Sequence, residues 1–185
     1  MDMCKYLLII LLFAGFVSQG QPMRMLVKKT NHTLISTLDV SQETYNTNRI
    51  CNSTGYYVAQ SFKPTGTFSL SSAGLNMTCS ATQTMVCRIG TSSNLTTYLE
   101  EITIFATAGT NVWASFPSTI KSILTSGTTY YIGFYCTSGY AEANVWNGSS
   151  VYADGSYYYQ TGGVGWNCSG NEPARDLAFR IYLNK

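Results

Sequence analysis

Charged residues are scarce in this chain, at 11% of its 185 residues, and the two signs nearly balance to a formal net charge of +2. No run of either sign occurs along the sequence. A nucleic-acid groove or a polybasic patch for anionic lipid needs clustered Lys and Arg. The composition therefore excludes both kinds of partner.

Imidazole is nearly absent, since His32 is the single histidine, and no Cys-x-x-Cys pair occurs. Zinc sites and most nucleophile–base pairs need such residues, so the sequence indicates neither. A glycosidase needs two carboxylates that face each other across a cleft. None of the six carboxylates in the strand-rich part lies in a recognisable catalytic setting, and we expect no enzyme: Glu100, Glu101, Glu142, Asp154, Glu172 and Asp176.

Long hydrophobic runs are missing except near the start, where residues 6–17 are apolar and are followed by the small residues Ser18 and Gly20. This run is shorter than the ~20 residues that cross a membrane. Residues 1–20 have the layout of a secretory signal peptide. We therefore expect no membrane span, and a protein that is secreted or displayed at the cell surface.

Asn-x-Ser/Thr sequons are abundant in the part that follows residue 20. Several of them should carry N-linked glycans, which would keep a surface of low charge soluble. The six sequon asparagines are Asn31, Asn52, Asn76, Asn94, Asn147 and Asn167.

Five of the cysteines follow the signal peptide, an odd number that predicts two disulfides and one remaining thiol in an exported protein. Cys79 and Cys87 lie on the inward faces of two successive runs, so we predict that they form a bridge. Cys51 and Cys168 both adjoin sequons in predicted loops and are the second predicted pair. Cys136 is then the buried thiol.

Alternation of apolar and polar residues recurs in five runs that are separated by Gly, Ser and Asn, whereas no helical periodicity of useful length occurs. Period two predicts an all-β fold, an antiparallel two-sheet sandwich. In one run it places the sequon residue Asn76 on the solvent side. The predicted inward residues are Ala73, Leu75, Met77 and Cys79; Met85, Cys87 and Ile89; Ile102, Ile104 and Ala106; Tyr130, Ile132, Phe134 and Cys136; and Leu177, Phe179, Ile181 and Leu183.

Residues 21–48 differ in composition from the rest and are predicted to be an N-terminal arm or a first strand. Residues 49–185 are the predicted sandwich domain. The segments "YVAQSFKPTGTFSLSSAGLNM", "VCRIGTSSN", "VWASF", "LTSGTTYYIGFY", "YADGSYYY" and "DLAFRIYL", in this order, resemble a jelly-roll, carbohydrate-binding-like module of exported bacterial and archaeal surface proteins. The resemblance implies a jelly-roll sandwich that acts as an accessory binding domain and not as an enzyme.

Aromatic residues that alternation places outward are the candidates for a ligand site, because a pyranose packs its C–H face on a ring while its hydroxyls bond to Asn, Gln and Tyr side chains. Trp166, in the Gly-rich stretch, is expected to be partly buried. The ligand candidates are Trp113, Trp146, Tyr140 and Tyr152.

Asp154 and Asp176 leave two interpretations open. Jelly-roll modules often hold a structural calcium through a carboxylate and loop carbonyls. Alternatively, Asp154 and Gly155 form a tight turn, which an Asp-Gly pair makes without any metal. Calcium is the one cofactor that the sequence suggests.

Two functions fit these observations. The first is a secreted, N-glycosylated, non-catalytic binding module that binds carbohydrate like a lectin. The second is a structural subunit of an extracellular coat, filament or adhesion assembly, in which residues 21–48 pair with the sheet edge of a neighbouring copy.

Overall fold

A computed structural model describes residues 35–52, 56–118, 122–137, 139–148, 152–160 and 170–185, without the side chains of residues 49–52 and 116. No helix in these ranges is long and apolar enough to cross a membrane. The predicted signal peptide, His32 and Trp166 lie outside the described residues. The strands are β1 (Ser36–Gln42), β2 (Thr47–Asn52), β3 (Tyr57–Phe62), β4 (Phe68–Cys79), β5 (Gln83–Gly90), β6 (Glu100–Ala106), β7 (Gly109–Pro117), β8 (Ile123–Leu124), β9 (Tyr130–Cys136), β10 (Tyr140–Asn147), β11 (Tyr157–Gln160), β12 (Gly170–Glu172), β13 (Arg175–Leu177) and β14 (Phe179–Asn184).

These strands form two antiparallel sheets that pack face to face. Sheet A follows the order β1-β14-β4-β10-β13, with β2 paired to β10, and β7 and β8 paired to β4. Sheet B follows the order β12-β11-β3-β9-β5-β6. Phe62 of sheet B and Phe179 of sheet A meet in the core, with 6.3 Å between ring centroids. The predicted antiparallel two-sheet sandwich is thus confirmed.

The core is built from the residues that period two places inward. In all five runs the predicted inward side chains are buried, except Ile102, which is partly buried and still packs on the core. Their outward neighbours, such as Arg88, Tyr131 and Arg180, are partly exposed. The alternation of the sequence therefore reflects two sheets that each bury one face.

The predicted arm is in part an integral pair of strands. β1 pairs with β14 from Ser36↔Asn184 to Gln42↔Phe179, and β2 pairs with β10. Val40 is 9% exposed and belongs to the core cluster. The predicted boundary between residues 48 and 49 is wrong because it falls inside β2, and residues 33–185 form one compact unit.

Sheet A divides at Ala178, between β13 and β14. β13 pairs with β10, whereas β14 pairs with β4. The Ala178 amide donates to the Asn144 carbonyl at 2.9 Å, and the Ala178 carbonyl accepts from the Asn76 amide at 2.8 Å. The two branches of the sheet are therefore joined through the backbone of one residue, and the asparagine side chains at this fork face away from the core.

Candidate functional site

One row of side chains crosses four neighbouring strands on the outer face of sheet A. Asn144 of β10 is in register with Asn48 of β2, and Asn76 of β4 is in register with Trp113 of β7. The Asn144 Nδ2 donates to the Asn76 Oδ1, which closes the row in the middle. Three amides and an indole ring are thus aligned on one face.

A third member is the exposed Asn111, which sits at an irregularity in the β4–β7 register and has a left-handed backbone with φ of 59°. Asn tolerates this conformation better than most residues, and bulges re-aim side chains. The Asn111 Oδ1 accepts from the Asn144 Nδ2 at 3.0 Å, and its backbone carbonyl accepts from the Asn76 Nδ2 at 3.3 Å. We call Asn76, Asn111 and Asn144 the amide cluster.

Asn144 is the deepest member of the amide cluster, with 0% of its surface exposed. Its Oδ1 accepts no hydrogen bond within the described residues. Leaving such an acceptor unsatisfied costs about 1–3 kcal/mol. The arrangement is therefore stabilised further by any hydroxyl or amide that donates to this oxygen.

The Trp113 ring is held in place beside the amide cluster by a charged side chain. The guanidinium carbon of Arg180 lies 3.9 Å from the Trp113 ring centroid. Arg180 binds Glu43 with two hydrogen bonds of 2.8 and 2.5 Å, and these hold the pKa of the Glu43 carboxyl below its usual value. A Cβ on Gly74 would lie 2.7 Å from the Ser115 Oγ and 3.5 Å from the Trp113 ring, so glycine gives both side chains room.

The exposed part of this face is formed by Tyr140, Glu142 and Asn48. Tyr140 is 39% exposed, and its hydroxyl donates to the Glu142 Oε1, which raises the pKa of Tyr140 to about 12. The Asn48 Nδ2 donates to the Glu142 Oε2 at 2.7 Å. Glu142 lies about 7 Å along the strand from Asn144, on the same face. An exposed ring and a carboxylate therefore adjoin the row at Asn48, its exposed end.

Three of the four predicted ligand residues lie on this face. Trp113 and Tyr140 frame it, and Trp146 is partly exposed at the far end of β10, where Gly148 lies close to its Nε1. Tyr152 is different because its ring packs edge-on against Phe179 with centroids 5.3 Å apart. Its hydroxyl accepts from the Lys63 amide at 2.9 Å, so Tyr152 packs on the core and lies apart from the other three, and its ligand role stays a prediction.

The two aspartates proposed as calcium ligands lie in different environments. Asp154 is exposed and pairs with Lys63 at 3.7 Å, whereas Asp176 is 0% exposed. The Asp176 carboxylate accepts from the Gln60 Nε2 and from the Tyr152 amide, both at 3.0 Å. No group of three or more metal-ligating side chains occurs among the described residues.

The turn at Asp154 and Gly155 is therefore the interpretation that the structure supports. The Gly155 amide donates to the Tyr152 carbonyl at 3.3 Å, and a Cβ on Gly155 would lie 2.0 Å from the Ser61 carbonyl oxygen. Glycine is required here because another strand approaches closely. The calcium interpretation gains no support, because amide donors hold Asp176.

The predicted bridge between Cys79 and Cys87 is wrong, because the two thiols are not bonded to each other and lie in different sheets. The short turn that joins β4 to β5 crosses from sheet A to sheet B, which adjacency in the sequence does not reveal. Burial raises the pKa of both thiols. Cys136 is fully buried as expected, whereas the predicted pair of Cys51 and Cys168 lies outside the described side chains.

The sequons differ in exposure. Asn76 is 4% exposed, so its predicted position on the solvent side is wrong: it points outward, but its side chain is enclosed in the amide cluster. Asn94 is partly exposed and Asn147 is exposed. Asn31 and Asn167, and the side chain of Asn52, lie outside the described part.

Sequence reasoning missed the amide cluster and also a group of tyrosines on the outer face of sheet B. Period two places Tyr131 and Tyr135 outward, which is a signal for the second group. Asn111 has no such signal, because a register irregularity determines its position.

The chain matches no protein-family model, and no curated protein matches it significantly.

Proposed function

We propose that this chain is a secreted, N-glycosylated, non-catalytic module that binds carbohydrate like a lectin, on the outer face of sheet A. The observation that carries the proposal is the exposed Tyr140 ring, which lies beside the Glu142 carboxylate and the Asn48 amide. A pyranose has an apolar C–H face that packs on such a ring, and its hydroxyls are both donors and acceptors. The resemblance of the chain to carbohydrate-binding-like jelly-roll modules agrees with this function.

The position of Trp113 supports a ligand longer than one sugar ring. Trp113 lies two strands away from Glu142 on the same face, at about 10 Å across the sheet. Arg180 fixes the ring, so little side-chain freedom is lost when a ligand packs against its edge. Of the amide cluster, an oligosaccharide that starts at Tyr140 and crosses β4 would meet only Asn111, which is exposed, because Asn76 and Asn144 are buried.

Glu142 serves this function as a fixed hydrogen-bond acceptor. Tyr140 and Asn48 each donate to one of its oxygens, which orients the carboxylate plane. Each carboxylate oxygen has a second lone pair for a sugar hydroxyl. Two adjacent hydroxyls on one sugar ring match this pair of acceptors.

The alternative function, a structural assembly, required residues 21–48 to pair with a neighbouring copy. Residues 36–42 and 47–48 of this segment pair instead with β14 and β10 of their own chain. This pairing favours the binding module over an assembly that uses these strands.

The test is binding of the secreted glycoprotein to an array of immobilised oligosaccharides, followed by titration calorimetry with the best ligand. We expect Tyr140→Ala and Glu142→Gln each to weaken binding at least about tenfold, or ~1.4 kcal/mol, with an unchanged melting temperature. Phe105→Ala is the matched control, since this ring is 71% exposed on sheet B. Wild-type protein that binds no oligosaccharide on the array, or Tyr140→Ala protein that binds as tightly as wild type, would refute the proposal.

A further inference from the structure

Four tyrosines cluster on the outer face of sheet B around Ala59, and we call them the tyrosine face. The rings of Tyr57 and Tyr135 lie 5.0 Å apart, and those of Tyr131 and Tyr158 lie 5.3 Å apart in an edge-on arrangement. Tyr131, Tyr135 and Tyr158 are partly exposed, whereas Ala59 is fully buried beneath the rings. Contiguous aromatic surface of this kind indicates a contact with something apolar on one side.

The loop that joins β5 to β6 is anchored at the margin of this face. Leu95 is 0% exposed and belongs to the same cluster as Tyr57, Ala59 and Val86. Its backbone is left-handed, with φ of 49°, which is rare for a leucine. The Arg88 Nη1 donates to the Leu95 carbonyl at 3.0 Å and holds this turn.

Asn94, the residue before Leu95, is the first residue of a sequon whose attachment atom is available. Its Oδ1 accepts from the Thr96 amide at 3.3 Å and from the Thr96 hydroxyl at 3.1 Å. Its Nδ2 donates no hydrogen bond within the described residues, in contrast to the Nδ2 of Asn76, which is buried and bonded. The side chain of Asn94 is partly exposed, so a glycan on it has access to solvent.

The buried neighbour places the attachment point beside the rings. Leu95 belongs to the cluster, and consecutive Cα atoms lie about 3.8 Å apart, so the backbone of Asn94 lies at the edge of the cluster. A Cβ on Gly90 would lie 3.1 Å from the Leu95 Cδ2, and Gly90 is in register with Tyr131 of the next strand. The attachment point on Asn94 therefore lies near the end of β5 that pairs with Tyr131.

We propose that the N-linked glycan on Asn94 lies over the tyrosine face, with its first sugar rings packed on Tyr131 and Tyr158. The C–H faces of the sugars cover the tyrosine rings, and their hydroxyls face water. The glycan thus acts as a covalently attached cover for an aromatic sheet face. This interaction concerns sheet B and does not depend on ligand binding by sheet A.

The experiment compares glycoforms of the protein secreted from a eukaryotic host. Glycopeptide mass spectrometry first establishes that Asn94 is occupied. Enzymatic removal of whole N-glycans should then increase the fluorescence of a bound hydrophobic dye several-fold and lower the melting temperature by a few degrees. Trimming to a single N-acetylglucosamine should preserve most of the wild-type behaviour, because the first sugar makes the stacking contact.

Two variants assign the effect to Asn94. Asn94→Gln should reproduce the effect of whole-glycan removal, whereas Asn147→Gln, which removes an exposed sequon of sheet A, should not. In a Tyr131→Ala Tyr158→Ala background, removal of the Asn94 glycan should produce no further change. An unoccupied Asn94, equal dye binding with and without its glycan, or an unchanged effect in the double variant would overturn the proposal.

Discussion

Replacement of Asp176 by alanine is the sharpest test of how sheet B is joined to the C-terminal strands. Asp176 is fully buried and accepts hydrogen bonds from the Gln60 Nε2 of β3 and from the Tyr152 amide. The same glutamine accepts from the Leu177 amide at 2.8 Å through its Oε1. The Asp176→Ala change removes the acceptor of two donors, the side-chain amide of Gln60 and the backbone amide of Tyr152.

The expected magnitude follows from the two donors. A buried donor that loses its acceptor costs about 1–3 kcal/mol, so the sum is about 2–6 kcal/mol. The Gln60 Nε2 keeps a second acceptor, the Ser61 carbonyl at 3.1 Å, which favours the lower half of this range. In a domain of this size a loss of ~3 kcal/mol lowers the melting temperature by about 6–12 °C. Asp176→Asn keeps the shape and one acceptor, so it should cost roughly half as much.

Thermal and urea unfolding, followed by circular dichroism, measure this loss. Asp154→Ala is the matched control: its exposed ion pair with Lys63 contributes at most about 0.5 kcal/mol. A free energy of unfolding for Asp176→Ala within 0.5 kcal/mol of wild type would refute the role of the carboxylate. A melting temperature that falls with a chelator and recovers with calcium would instead restore the calcium interpretation.

Three further predictions concern other parts of the fold. In the folded secreted protein, glycopeptide mapping should find Asn76 unmodified, because its 4% exposed side chain leaves no room for a sugar; an occupied Asn76 in the native pool would contradict the amide cluster. A chain that starts at residue 49 should fail to unfold cooperatively, because it lacks β1 and the start of β2; a wild-type melting curve for this chain would show that the two strands are dispensable. Arg180 lowers the pKa of Glu43 below its usual value, so the ionised pair stabilises the fold above the pKa of the unfolded chain, and its contribution disappears as the pH falls through the lower folded pKa. Glu43→Gln should therefore lose less than about 1 kcal/mol at neutral pH and nothing at strongly acidic pH, and a pH-independent difference would refute this assignment.

The inward residues could be predicted from the sequence because period two and burial have the same cause in a two-sheet sandwich. Met85, Cys87 and Ile89 are one example, since all three are buried as expected. The same rule failed for Asn76, because it predicts which face a side chain occupies and not what covers that face. The position of Asn111, which completes that cover, depends on a register irregularity.

Contacts between segments that are distant in the sequence could not be predicted, because they depend on which strands become neighbours in the sheets. Cys79 and Cys87 are close in the sequence, but a turn carries the chain from one sheet to the other between them. Trp113 and Tyr140 could be identified as outward rings. Glu142, which accepts from Tyr140, meets its second donor Asn48 only through the pairing of β2 with β10.

The position of β14 has a consequence for the kinetics of folding. β14 follows every other described strand in the chain, yet it lies between β1 and β4 in sheet A. The pairing of Ser36 with Asn184 joins residues that are far apart in the sequence, and such non-local pairing is slow. Until β14 arrives, β1 and β4 each expose an unpaired edge that can join another chain. The refolding yield should therefore decrease steeply with protein concentration, and a synthetic peptide of residues 175–185 added in excess should trap chains truncated before β13 in a folded complex.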